Sequence, residues 1–320
     1  MLAPALGYWF VTGPTAVGKT AVGVELALRL GAEIVSMDSM ALYRGMDIGT
    51  AKPTARERRA VPHHLIDVLE PHEDFSLAQY LQAAGRSISE IRARGRQVVL
   101  VGGTPLYLKG LLRGIFEGPA ADWPLRRRLQ GDAREHGPEW LHRRLAEVDP
   151  AAARRLHPND VRRLVRALEV FEKTGRPLSE FQKQFDVGHP ADQCRVFVLD
   201  RPKEELDQRI QERVEAMFTA GLVEEVRRLV AGPRDLGRTA AQAVGYAEVL
   251  DHLAGRYDLS ETVQRVKIHT RQLAKRQGTW FRSLSECRFV PVSGAVNPRT
   301  IAEQIAEVGA RVEPGRDATR

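Results

Sequence analysis

"GPTAVGKT", residues 13 to 20, fits the spacing G-x-x-x-x-G-K-[ST] of a phosphate-cradling loop, and its reading decides the fold. Gly13 and Gly18 let the backbone turn so that loop N–H groups face an anion, and the helix that follows adds its positive end. Lys19 supplies charge, and Thr20 has the hydroxyl that such loops offer to Mg²⁺. The expected phosphate site is therefore Gly13, Pro14, Thr15, Ala16, Val17, Gly18, Lys19 and Thr20. A kinase that transfers the held phosphate and an enzyme that expels diphosphate can share this loop.

Outward from the loop, "YWFV" (8–11) reads as a strand and "TAVGVELALRLG" (20–31) as a helix stopped by Gly31. "AEIVSMD" (32–38) reads as a second buried strand with Asp38 at its carboxyl end, and "RQVVLVGG" (96–103) as a third. Apolar strands alternating with helices predict an α/β fold with a P-loop NTPase-like, doubly wound parallel sheet. Ligands of such sheets bind beyond the carboxyl ends of the strands, where the loop and Asp38 both lie.

The pattern changes after about residue 117. From Asp122 to Arg176 only helix signals are present: Asp149-Pro150 as cap and first position, Asn159-Asp160 before "VRRLVRALEVFEKTG", and Gly175 as a stop. This stretch holds 13 basic and 9 acidic residues, a net +4, and reads as an all-helical insertion. "CRVFVLD" (194–200) resumes the sheet, "RFVPV" (288–292) is a last strand, and "PRTIAEQIAEVGARV" (298–312) a closing helix. The predicted organisation is a core from 1–117, an insertion over 118–193, core again over 194–312, and a disordered tail at 313–320.

The 320 residues are 43% hydrophobic and 28% charged, enough for a sizeable core, and no 18-residue apolar run spans a membrane. The opening residues run straight into the first strand without a basic leader, so a cytoplasmic protein is expected. Cys194 and Cys287 match no metal or disulfide framework. The net charge of +7 favours a polyanionic partner. Thr262 to Ser285 holds six Lys or Arg and no Asp or Glu, with Lys267, Arg271 and Lys275 spaced to form one positive stripe on a helix.

Taken alone, Asp38 in "SMDSMALYRGMDIGTAKP" has three open roles: holding Mg²⁺, accepting a proton from a nucleophile, or capping a helix through its side-chain oxygen. Asp47 reads as a turn residue, and the adjacent His63 and His64 as structural hydrogen-bonding groups, since no acidic or cysteine partner sits at metal spacing.

Seven segments, in order from residue 8 to about 282, carry a family resemblance: "GPTAVGKT", "DSMALYRGMDIGTAKP", "PHHLID" followed by "FS", "VGGTPLYLKGLL", "HPNDVRRLVRALEV", "AVGY" and "TRQLAKRQGTWFR". Together they are similar to the tRNA dimethylallyltransferases, also called tRNA isopentenyltransferases. The resemblance implies a kinase-like core with a helical insertion. It also implies transfer of the dimethylallyl group of dimethylallyl diphosphate to N6 of the adenine on the 3′ side of the anticodon. The loop would then hold a diphosphate that departs.

By the same resemblance, Thr15 hydrogen-bonds the bridging oxygen, Asp38 accepts the amine proton, and Arg213 in "RIQER" contacts the diphosphate. Asp38, Ser39, Met40 and Ala41, with Arg162, Arg163, Leu164, Val165 and Arg166, match segments that contact tRNA, as do Thr104 and Arg126. Tyr43, Trp280 and Phe281 are candidates to stack on RNA, the last two equally to be core. Many family members have Gln at Ala41 and at Arg162, and a basic residue at Ala247. The expected partners are dimethylallyl diphosphate with Mg²⁺ and the tRNA anticodon stem-loop, bound by a monomer. A P-loop small-molecule or nucleoside kinase is the rival reading, although a small substrate needs neither the basic insertion nor the basic helix. An RNA-binding protein with a degenerate loop is a third reading, against which Gly13, Gly18, Lys19 and Thr20 are all intact.

Overall fold

The computed structural model describes residues 7–116, 118–181, 187–295 and 297–312, so the expected tail at 313–320 lies outside the described residues. Six strands, β1 (Trp9–Thr12), β2 (Ala32–Ser36), β3 (His63–His64), β4 (Gln97–Val101), β5 (Val196–Asp200) and β6 (Cys287–Pro291), form one sheet in the order β3-β2-β4-β1-β5-β6. Every pairing is parallel. The helices are α1 (Lys19–Leu30), α2 (Ala55–Ala60), α3 (Leu77–Ala93), α4 (Pro105–Arg113), α5 (Trp123–His136), α6 (Pro138–Val148), α7 (Pro150–Arg155) and α8 (Val161–Thr174). They continue with α9 (Leu178–Phe181), α10 (Lys203–Thr219), α11 (Leu222–Val230), α12 (Arg238–Ala241), α13 (Tyr246–Leu253), α14 (Leu259–Arg282) and α15 (Pro298–Ala310).

Central strands buried on both faces need helices on both sides, which is why β1, β2 and β5 read as near-continuous apolar runs. Trp9 and Val11, which point to one face, join Val22 and Leu26 of α1 and Ile301 and Ile305 of α15 in the main core. Elsewhere Tyr80 of α3 stacks on Tyr107 of α4 at 3.6 Å and donates its hydroxyl to the Ser36 carbonyl at the end of β2. β1 sits centrally, between β4 and β5, and the phosphate loop leaves its carboxyl end.

The chain divides into two compact units, one made of residues 1–112 and 188–320, the other of 113–187. The second unit closes at 187 and not 193, because the stretch after it is fastened to the sheet-bearing unit. His189 N–H donates to Glu286, and Arg288 donates to the Ala191 carbonyl. Within the helical unit the caps follow the local chemistry: Asp149 accepts from Ala152 N–H, Asp160 from Arg163 N–H, and Gly175 ends α8 at φ 68°. Leu129, Leu141, Leu145, Leu164 and Leu168 form its own core.

Candidate active site

The phosphate loop is shaped by what surrounds it. A side chain at Gly13 (φ 140°) would lie 2.6 Å from the Leu199 carbonyl of β5, so only glycine lets β1 turn outward there. Ala16 sits at φ 62°, a strained position for a residue with a side chain. Arg209 of α10 donates from Nε to the Ala16 carbonyl at 2.9 Å and helps to hold that turn. Thr12 donates to the Gly102 carbonyl at 2.7 Å, tying the end of β1 to the loop after β4.

Around this loop the charged groups cluster. Lys19 donates to the Pro14 carbonyl at 2.7 Å. Burial of its ammonium pushes its pKa down to about 7, against the attraction of Asp38 and helped by the repulsion of Arg213. Burial likewise lowers Arg213, one turn beyond Arg209 on α10, while Asp38 opposes the shift and Arg209 adds to it. Arg213 is thus close enough to Asp38 and Lys19 for their charges to act on each other.

Asp38 lies two residues past β2, where its Oδ1 accepts the Met40 N–H at 2.9 Å. Thr104 joins the same turn: its hydroxyl accepts the Ser39 N–H at 3.0 Å and its own N–H donates to the Met37 carbonyl. Lys19, Thr20, Asp38 and Ala41 line one small cavity with Lys52 and His63. The loop that carries Asp47, Ile48 and Gly49 gives all three backbone N–H groups to the buried carboxylate of Glu225, which Tyr246 also bonds at 2.6 Å. Gln277 of α14 takes the Thr15 N–H on Oε1 at 2.9 Å and donates from Nε2 to the Gly103 carbonyl at 2.6 Å. Cations and loop amides around an anion, with a carboxylate on the same cavity, can stabilise a leaving group and take a proton.

The family described as IPP transferase matches residues 41–284. The chain belongs to this family. It is 50% identical to the tRNA dimethylallyltransferase of Geobacter metallireducens over 89% of this chain and 92% of that protein. Identity with the tRNA dimethylallyltransferase of Pelotomaculum thermopropionicum is 44%, over 92% and 94%. Among solved structures it resembles the full-length tRNA isopentenylpyrophosphate transferase of Bacillus halodurans, with TM-score 0.69, 39% identity and 96% of each chain covered. A eukaryotic dimethylallyltransferase solved acting on tRNA aligns with TM-score 0.75 at 27% identity, over 93% of this chain and 77% of that one.

Within this IPP transferase chain the expected RNA contacts sort by surface. Arg162 and Arg163 are exposed on α8. Leu164 and Val165, between them and Arg166, pack their side chains into the helical unit's core. Arg126 and Arg166 both bond Glu169, which is fully buried, and Arg126 also lies 5.2 Å over the Trp123 ring. On α14 the expected stripe is broken: Lys267 is buried and paired with Glu215 at 2.6 Å, while Lys275 is exposed and Arg271 half-buried. Tyr43 and Phe281 are buried, so neither stacks on RNA, and Trp280 keeps part of its surface open. His63 bonds the Val61 carbonyl and His64 bonds Glu33, both structural contacts.

Sequence reading missed Arg209, Glu225 and Gln277. Arg209 and Arg213 stand at i and i+4 of one helix and share a face, a signal that was present in the spacing. Gln277 lies within "TRQLAKRQGTWFR" but has no local pattern that announces a partner 262 residues away.

Proposed function

We propose that the protein transfers the dimethylallyl group of dimethylallyl diphosphate to N6 of the adenine 3′-adjacent to the anticodon of tRNA. The observation that carries this reading is the shared cavity on which the phosphate loop's Lys19 and Thr20 meet Asp38. N6 attacks the allylic carbon, and the bond from that carbon to the bridging oxygen breaks. Diphosphate leaves with the electron pair, and the amine proton passes to the Asp38 carboxylate. Loop N–H groups, Lys19 and Arg213 stabilise charge that grows on the leaving group, which lowers the barrier only because it grows. Thr15, whose backbone N–H is held by Gln277, is the residue proposed to bond the bridging oxygen.

The hydroxyl of Thr20, on the same cavity as the Asp38 carboxylate, is an oxygen donor of the kind that hard cations take. Thr20 would hold Mg²⁺ together with diphosphate oxygens, and the ion would neutralise diphosphate charge. The exposed Arg162, Arg163 and Lys275, with Arg126, are the proposed tRNA contacts, in a monomer working in the cytoplasm. Among the described residues no helix is long and apolar enough to cross a membrane. The kinase reading is not favoured, since relatives 44% and 50% identical over about nine-tenths of the chain carry the transferase name. Incubating the protein with labelled dimethylallyl diphosphate and unmodified tRNA, without ATP, should place label on adenosine. ATP consumption with a small acceptor and no label on RNA would overturn the reading.

A further inference from the structure

We infer that Gln277 is a positioning residue for the transfer: its carboxamide fixes the phosphate loop against the glycine loop after β4 and thereby aims Thr15 at the departing oxygen. This rests on the function proposed above. Only one orientation of the amide satisfies both neighbours, with Oε1 accepting the Thr15 N–H at 2.9 Å and Nε2 donating to the Gly103 carbonyl at 2.6 Å. The contact is close enough that a side chain at Gly103 would lie 2.9 Å from Nε2 and 3.3 Å from the Lys19 ammonium. One side chain of α14 therefore touches two loops, and both border Lys19.

The chemistry of the residue suits this role. A carboxamide offers an acceptor and a donor in one plane without net charge. A carboxylate would accept from Thr15 but would set a negative oxygen against the Gly103 carbonyl and near a leaving group whose negative charge is growing. An ammonium would have nothing with which to take the Thr15 N–H. Thr15 is held by its backbone N–H, so its position is set from α14 without use of its hydroxyl. Without the tether the loop amides remain, so the diphosphate still binds, but Thr15 loses its fixed place relative to the bridging oxygen.

The test compares wild type, Gln277→Ala and Gln277→Glu in single-turnover transfer of labelled dimethylallyl diphosphate to unmodified tRNA, with melting temperatures on the same preparations. Gln277→Ala is expected to keep KM for the diphosphate within about threefold and to transfer roughly 10- to 100-fold more slowly, as loss of about an ångström of alignment does. Gln277→Glu is expected to be slow at about pH 8 and to regain rate relative to wild type toward about pH 5.5, because the protonated carboxyl recovers the donor to Gly103. The ionisable groups around the loop, Lys19, Asp38, Arg209 and Arg213, are common to both proteins, so the ratio removes their own titration and reads the new carboxyl together with its pull on the neighbouring Lys19. A purely structural role would move the melting temperature without this pH-dependent rescue. A wild-type protein that labels tRNA alongside a folded Gln277→Ala variant of full rate overturns the inference, as does a Gln277→Glu ratio that stays flat with pH. Failure of the wild type itself to label tRNA overturns the function and not the tether alone.

Discussion

Asp38 shows how one carboxylate serves both structure and chemistry. One oxygen accepts the Met40 N–H and holds the turn after β2, and the group still lines the cavity with Lys19 and Thr20. Asp38→Asn keeps an oxygen for Met40 but cannot take a proton at neutral pH. The variant should melt like wild type, bind tRNA and diphosphate within a few-fold, and transfer at least about 100-fold more slowly. A stable variant with wild-type single-turnover rate would remove Asp38 from the reaction. Lys19 yields a second expectation. Burial pushes its pKa down to about 7, below the ordinary lysine value, so its charge costs stability below about pH 7 and that cost fades as pH rises toward the ordinary range. A bound diphosphate favours the charged form and draws the pKa back up. Binding near pH 8.5 should therefore take up part of a proton, and affinity should fall as pH rises above about 7. Calorimetry in two buffers of different ionisation enthalpy reads that uptake, and Lys19→Ala should lose it. Equal uptake in the variant would assign the proton to another group.

At the scale of elements, α14 separates what periodicity can tell from what it cannot. The spacing of Lys267, Arg271 and Lys275 does place them along one side of a helix, but it does not say which part of that side a neighbour covers. α10 packs against α14 and gives Lys267 its partner Glu215, and the stripe is open at its Lys275 end. The salt dependence of tRNA affinity should therefore lose about one unit of slope when Lys275 is neutralised, and stay unchanged in Lys267→Ala, which should melt earlier. A slope that falls in Lys267→Ala and not in Lys275→Ala would reverse the assignment. The same distinction explains the rest of the sequence reading. The phosphate loop, the stops at Gly31 and Gly175, and the caps Asp149 and Asp160 are set by residues within a few positions, so they are legible in the string. The contacts of Glu225 with residues 47–49 and of Gln277 with Thr15 span 176 residues or more. No local pattern encodes them, and the two-residue β3 is too short to show any alternation.

The whole molecule consists of two units with separate cores, so a defect in one need not reach the chemistry of the other. Glu169 makes that separable. It is the buried centre of the helical unit's polar network, receiving two bonds from Arg126, one from Arg166 and the Asp122 N–H. Burial alone would raise its pKa, yet the bonds from Arg126, Asp122 and Arg166 hold it below the ordinary glutamate value. With a depressed folded pKa, its contribution is present above the ordinary glutamate range and is lost as pH falls through the folded value. Glu169→Gln removes the charge at every pH and leaves two arginines sharing one neutral acceptor. The cost should be about 3 kcal/mol, the low end for a broken buried pair, because both arginines keep part of their surface in water. Hydrogen exchange should then show protection lost in α5, α6 and α8 and retained in β1, β4 and β5. Arg126 would lose its mooring, so tRNA affinity should fall while the proton uptake on diphosphate binding persists. Loss of protection spread evenly over both units, or weakened diphosphate binding with intact tRNA affinity, would show that the two units do not behave as independent parts.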